Sequence, residues 1–191
     1  MGYRSLAPYV WPIYAPWMAS SLGMSTLLVA LPVWLLGGGH GYVLTSMVAG
    51  AGGAGAAVGA LLVGNLVDRS GPARVAAGSL LLMVVASASM ALIGHVVVLG
   101  LGHLAFGMGS IGVMLSRQAD LTSRIPRYLR GRAMSVMGGS MRLSVLVGTV
   151  AGGALVEVIG GRWTIAAAGL AAAVGLPAVI PTALRPEREV A

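Results

Sequence analysis

Asp68 is the first acidic residue of a 191-residue chain. It stands in the polar stretch Gly64-Asn65-Leu66-Val67-Asp68-Arg69-Ser70-Gly71-Pro72-Ala73-Arg74, between two long apolar runs. A carboxylate beside Arg69 and Arg74 can form ion pairs, and the plain reading is a solvated acid near the start of a helix, where the helix dipole favours its charge. Asp120 is the second acid, in the arginine-rich stretch Arg117-Gln118-Ala119-Asp120 and onward to Arg132. Its neighbours Arg117 and Arg124 are the local candidates for pairing. Arg142 follows Arg132 by 10 residues, about 15 Å along a helix and close to the middle of a bilayer. A charge at that depth costs at least about 2.5–3.5 kcal/mol and usually faces a polar cavity. Arg142 is therefore a candidate for contact with a substrate or coupling ion, with a structural ion pair as the alternative. Arg117 and His103 join it as candidates, although a lone intramembrane histidine reads first as a hydrogen-bonded packing residue and second as a proton-handling one.

These residues need long apolar elements to hold them. The chain is 57% hydrophobic and 9% charged, where a soluble domain carries about 25% charged residues. It reads as an all-α integral membrane protein and one domain over residues 1–191. Six spanning helices are expected, at about 14–36, 42–63, 73–93, 96–116, 133–159 and 164–182, each near the 20 or so residues that a bilayer requires. Residues 64–72 and 117–132 are expected as loops. Pro8, Pro12 and Pro16 predict an irregular entry before the first helix, and the run Gly37–Gly41 closes it. Pro72 suits the first turn of the third helix. In the second helix Gly52, Ala56, Ala60 and Gly64 recur every four residues, as do Gly55 and Gly59, and form a bare ridge for close contact with a neighbour. The four tryptophans read as interface anchors.

Charge sets the orientation. With the N-terminus inside, Arg4, Arg69, Arg74, Arg124, Arg127, Arg130, Arg132, Arg185 and Arg188 lie in inner segments, and Arg162 alone lies in an outer turn. That asymmetry places both termini and the Asp68 stretch on the cytoplasmic face. The net charge of +7 is explained by the same loops, and no spaced basic and aromatic face for nucleic acid is present. The N-terminus lacks a cleavable signal. All basic residues are arginine and none is lysine, which points to a GC-rich genome, and the expected location is a bacterial inner membrane.

Gly64, Leu66, Asp68, Arg69 and Gly71 together resemble the signature Gly-x-Leu-x-Asp-Arg-x-Gly of the major facilitator superfamily of transporters. The resemblance implies a gating motif of Gly64, Asp68, Arg69, Gly71, Arg74 and Asp120, closing the inner gate in the outward-facing state. Pro72 and Ala73 stand where that family usually has a basic residue, so Arg74 is the nearest substitute, and the resemblance implies that Asp120 pairs with Arg74 or Arg69. Gly148-Thr149-Val150-Ala151-Gly152-Gly153 resembles a degenerate form of the Gly-Pro-x-x-Gly-Gly motif of the drug/proton antiporter branch. Generic packing by Gly148, Gly152 and Gly153 is the alternative. The order of features matches the N-terminal six-helix half of such a transporter, which implies a second half, as a separate chain or in a homodimer. It also implies a small-molecule substrate, possibly hydrophobic, and export driven by an ion gradient, most simply protons. A non-transporting membrane scaffold or a fragment of a split transporter gene is the competing reading.

Other chemistry is set aside on specific grounds. Cysteine is absent, which removes thiol nucleophiles, disulfides and thiolate metal sites. Met134, Met137 and Met141 share a helix face and read as adaptable core filler rather than a metal path. Gly138-Gly139-Ser140-Met141 approaches the Gly-x-Ser-Gly nucleophile of a rhomboid-type protease, but no histidine follows it. No Gly-x-x-x-x-Gly-Lys-Ser phosphate loop is present. Neither an enzyme, a metal nor a cofactor is expected.

Overall fold

The computed structural model describes residues 7–184. Its elements are α1 (Ala7–Gly37), α2 (Tyr42–Ser70), α3 (Pro72–Ile93), α4 (Val96–Arg124), α5 (Arg127–Ala173) and α6 (Leu176–Ala183). Among the described residues, five stretches are long and apolar enough to cross a membrane, and the last runs over 55 residues, Arg127–Pro181. A straight helix of that length would reach about 80 Å, against a hydrocarbon thickness of about 30 Å. It is not straight. Gly160 leaves helical geometry at φ 79° and ψ 160°, a conformation that glycine adopts without a Cβ penalty. Ser144 and Ala171, on either side of that break, line the same cavity. The chain therefore doubles back at Gly160.

Several bounds differ from those expected. Residues 64–70 are the last turns of α2 rather than a loop, and only Gly71 separates them from α3. Likewise α4 continues to Arg124 and α5 begins at Arg127, so most of 117–132 is helical. Charged residues at a helix end favour exit from the bilayer, but the backbone ladder can continue into water once it is nucleated. The expected fifth and sixth helices appear as the two arms of α5 around Gly160, followed by α6. The irregular entry to α1 is also corrected, since Ala7 begins a helix that runs through Pro12 and Pro16. Tolerance of proline within such a helix is usual where neighbouring helices re-satisfy the freed carbonyls.

Small residues decide how the helices meet. α1 lies along the first arm of α5, α2 along α4, and α3 between α4 and the second arm of α5. A Cβ built on Gly55 would stand 1.9 Å from the Leu104 carbonyl oxygen, and one on Gly107 would stand 2.0 Å from that of Gly52. A Cβ on Gly59 would stand 2.6 Å from Ile111 Cγ2. The ridge of α2 thus splits: Gly52, Gly55 and Gly59 meet α4 inside this chain, whereas Gly64 faces open space. On the other seam Thr26 Oγ1 donates to the Gly148 carbonyl at 3.2 Å. Such close approach substitutes van der Waals contact for the hydrophobic drive that lipid does not supply.

The two clusters of buried apolar residues occupy different levels. The larger is centred on Leu27, Leu31, Leu80, Met83, Phe106 and Ala168. The smaller gathers Ile13, Tyr14, Trp17, Leu121, Ile125 and Met137, with Met134 and Met141 against it. The methionine face is therefore filler between α1, α4 and α5. Trp17 is buried rather than an interface anchor, Trp34 is half-buried and Trp163 is exposed. The side chain of Trp11 lies outside the described residues. At the end opposite Asp68, Gly94 and Gly161 close against Trp34. There Arg162 donates to the carbonyls of Ala91 and Leu92, which are among the orphan acceptors at the C-terminus of α3.

Candidate functional site

The Asp68 motif occupies the last turns of α2. Gly71 ends the helix at φ 78° and donates to the Val67 carbonyl at 2.9 Å. Glycine at this point lets the chain turn, and Pro72 then starts α3 at a position where no N–H is required. Asp68 and Arg69 are exposed. Neither makes a salt bridge among the described residues, where the ion pairs are those of Asp120. Gly64 has nothing within 4 Å of where a Cβ would stand. The face of α2 that bears Gly64 and Asp68 is unoccupied.

Asp120 is placed differently from the expected cross-bundle pair. It is 3% exposed, and its two oxygens take Arg117 Nη1 at 3.1 Å and Arg124 Nε at 2.5 Å. These partners lie three residues before and four after it on α4, the spacings that bring side chains to one helix face. Arg74 instead donates from Nε to the Ala183 carbonyl at the end of α6, at 3.3 Å. The local alternative displaces both Asp120–Arg74 and Asp120–Arg69 in this structure.

Arg117 turns out to be the connector. It is 1% exposed, and its Nη2 donates to the Pro72 carbonyl at 2.7 Å. One guanidinium therefore ties α4 to the start of α3, directly after the motif. Its Nε has no hydrogen-bond partner. Sequence reasoning missed this link because the acceptor is a backbone carbonyl, which no motif spells. The available signal was the three-residue spacing of Arg117 and Asp120, which fixes a guanidinium by a buried acid.

His103 is buried in the seam between α2 and α4. Its Nδ1 lies 2.9 Å from the Val48 carbonyl, and its Nε2 has no partner. A carbonyl only accepts, so Nδ1 carries the proton. The ring fills the space that Gly52 leaves, since a Cβ there would come within 2.5 Å of Nε2. This is the geometry of a packing residue.

Arg142 lies on the opposite face of α5 from the α1 seam and is exposed. It makes no ion pair with the chain's described acids. Gly148 and Gly152 of the same helix do pack on α1, at 2.1 Å from Ser25 Oγ and 3.1 Å from Thr26 Cα for an added Cβ. Gly153 touches nothing within 4 Å. A cavity of about 670 Å³ opens between α1, α5 and α6, lined by Met18, Leu22, Ser144, Val174, Pro177 and Pro181 among others. Its one polar side chain, Ser144, already donates to the Ser140 carbonyl. The cavity is apolar and lies on the other side of α5 from Arg142. Among the described residues no three His, Asp or Glu side chains gather as a metal site would need.

The arrangement is that of a bundle of apolar, membrane-length helices whose ion pairs, among the described residues, are gathered at one end. Comparison with known proteins agrees with it. The chain is 28% identical over 162 residues to an uncharacterized MFS-type transporter of Mycobacterium tuberculosis, a match that covers 84% of this chain. The chain spans 28% of that relative's length. The family model described as Major Facilitator Superfamily matches residues 7–191, which is nearly the whole sequence, and the chain belongs to that superfamily of multi-pass membrane transporters.

Proposed function

We propose that the chain is the N-terminal six-crossing half of a secondary transporter, using alternating access to export a small apolar or amphiphilic molecule. Both arms of α5 would cross the bilayer, with Gly160 at the outer turn and both termini cytoplasmic, in a bacterial inner membrane. An ion gradient, most simply of protons, would supply the energy. The chain would then act as a transporter and not as an enzyme. The observation that carries this reading is the contrast between two acids. Asp120 is buried and doubly paired within its own helix, whereas Asp68 is exposed beside the open Gly64 and has no ion pair among the described residues. A structural acid is already satisfied; a latch acid waits for a partner.

That partner would be a second six-helix half, in a separate chain or a second copy, with its own cation or helix terminus set against Asp68. Such an arrangement places substrate between the halves near the midplane, as in transporters built from repeats. The competing reading is a non-transporting scaffold or a piece of a split transporter.

The test is accumulation of a lipophilic dye in a host that lacks its own efflux pumps. Expression of the chain lowers accumulation, and Asp68→Asn at the same membrane level restores it to the vector control. Equal accumulation in cells making the native chain and in those making Asp68→Asn would refute the proposal.

A further inference from the structure

Among the described residues, Arg142 is a cation without an anion. The first arm of α5 runs from Arg127 to the break at Gly160, and Arg142 stands close to its middle. From Arg132 it is about 15 Å along the helix, half the hydrocarbon thickness of about 30 Å. A guanidinium at this level cannot face acyl chains cheaply, so its surroundings must be a polar cavity or protein. Among the described residues it has neither an ion pair nor a hydrogen-bond acceptor, and Asp120 is committed to Arg117 and Arg124. Asp68 lies at the bundle's end on α2, and Glu157 lies 15 residues further along α5, about 22 Å away by helical rise.

The surface around Arg142 is bare. Gly138 and Gly139, one turn before it, have nothing within 4 Å of a notional Cβ. Ser135 and Thr149, two turns away on either side, spend their hydroxyl protons on the carbonyls of Gly131 and Val145. Arg142 thus offers the face a fixed fork of donors and no acceptor. The complement of that fork is a planar, acceptor-only group. Glycine on one side leaves room for an apolar body to lie against the helix backbone.

We infer that Arg142 is the recognition point for an anionic amphiphile, a molecule with a carboxylate or similar oxyanion on an apolar body. The inference rests on the transport reading for its biological sense, since it names the substrate class of that site. A phospholipid headgroup does not fit the same place, because headgroups lie about 15 Å above or below the midplane. The apolar cavity beside Ser144 is a separate feature on the other face of α5 and plays no part.

The experiment measures binding of two probes to the purified chain in detergent by energy transfer from tryptophan. The probes are 1-pyrenebutyrate and its neutral analogue 1-pyrenebutanamide. The native chain binds the carboxylate about tenfold more tightly than the amide, the difference of one charge-assisted contact. Arg142→Gln abolishes that preference and leaves amide binding unchanged, while Arg142→Lys keeps part of it. Retained helicity and an unchanged elution volume identify variants that are folded. A preference that survives Arg142→Gln overturns the inference. So does a change of oligomeric size in Arg142→Gln with binding of both probes intact, which would assign the missing anion to a protein partner. No preference for the carboxylate in the native chain, alongside intact Asp68-dependent dye efflux, would sink this inference and leave the transport reading standing. A preference that depends on Arg142 in a chain with no efflux would do the reverse.

Discussion

Replacing Asp120 with alanine is expected to cost the bundle about 3–5 kcal/mol, the usual consequence of removing one partner from a buried ion pair. The carboxylate is 3% exposed, and the Arg117 side chain beside it is 1% exposed. Without Asp120 that guanidinium stays inside the protein with the Pro72 carbonyl as its remaining acceptor and an Nε that is already unpaired. The charge would have to be hydrated or drawn outward, and either outcome pulls α4 from the start of α3. Removing both charges together, as Arg117→Met with Asp120→Leu, should recover most of the loss because no ion is left to desolvate. Arg124 provides the contrast. Its side chain is 45% exposed, so Arg124→Ala should cost no more than about 1 kcal/mol. Unfolding in detergent titrations, followed by helical circular dichroism, ranks the variants. Equal losses for Asp120→Ala and Arg124→Ala would remove the ion pair from the account.

The second large effect is expected from one added methyl group. Gly55→Ala puts a Cβ 1.9 Å from the Leu104 oxygen and 2.7 Å from its carbonyl carbon. Those are backbone atoms, so no rotamer change relieves the clash, and α2 must lift from α4. Overpacking of this kind costs about 1–3 kcal/mol and at times more. Gly53→Ala is its control, because nothing lies within 4 Å of that position. There the substitution should be neutral or slightly stabilising, as alanine is the better helix former by about 1 kcal/mol. The same unfolding measurement applies. A loss at Gly53 equal to that at Gly55 would mean that helix propensity, not the seam, sets the cost.

Hydropathy made most of the helical frame legible before any coordinates, because apolar run length is a direct response to bilayer thickness. Pro72 at the start of α3 and the glycine turn that follows α1 were legible for equally local reasons. Helix ends at the charged face were not. Polar residues such as Asn65 and Arg69 signal departure from the lipid, and the eye reads that as a loop, while the backbone ladder runs on to Ser70. The partner of Asp120 was misplaced for a related reason. A helix that continues past residue 116 automatically sets Arg117 and Arg124 on the face of Asp120, whereas an assumed loop frees it to reach Arg74. Of the glycines, spacing alone marked a seam but could not say which faces were used. Gly148 and Gly152 are buried against α1, while Gly153 and Gly64 are open.

A chain that returns at Gly160 puts the Asp68 end and the α5–α6 end on one side of the membrane. The absence of native cysteine makes the wild-type chain its own background for single-cysteine labelling with a membrane-impermeant maleimide. The account predicts that His40→Cys and Trp163→Cys react in intact cells, while Arg69→Cys and Ser123→Cys react only after the membrane is opened. Protection of Trp163→Cys in intact cells, or labelling of Arg69→Cys there, would contradict it.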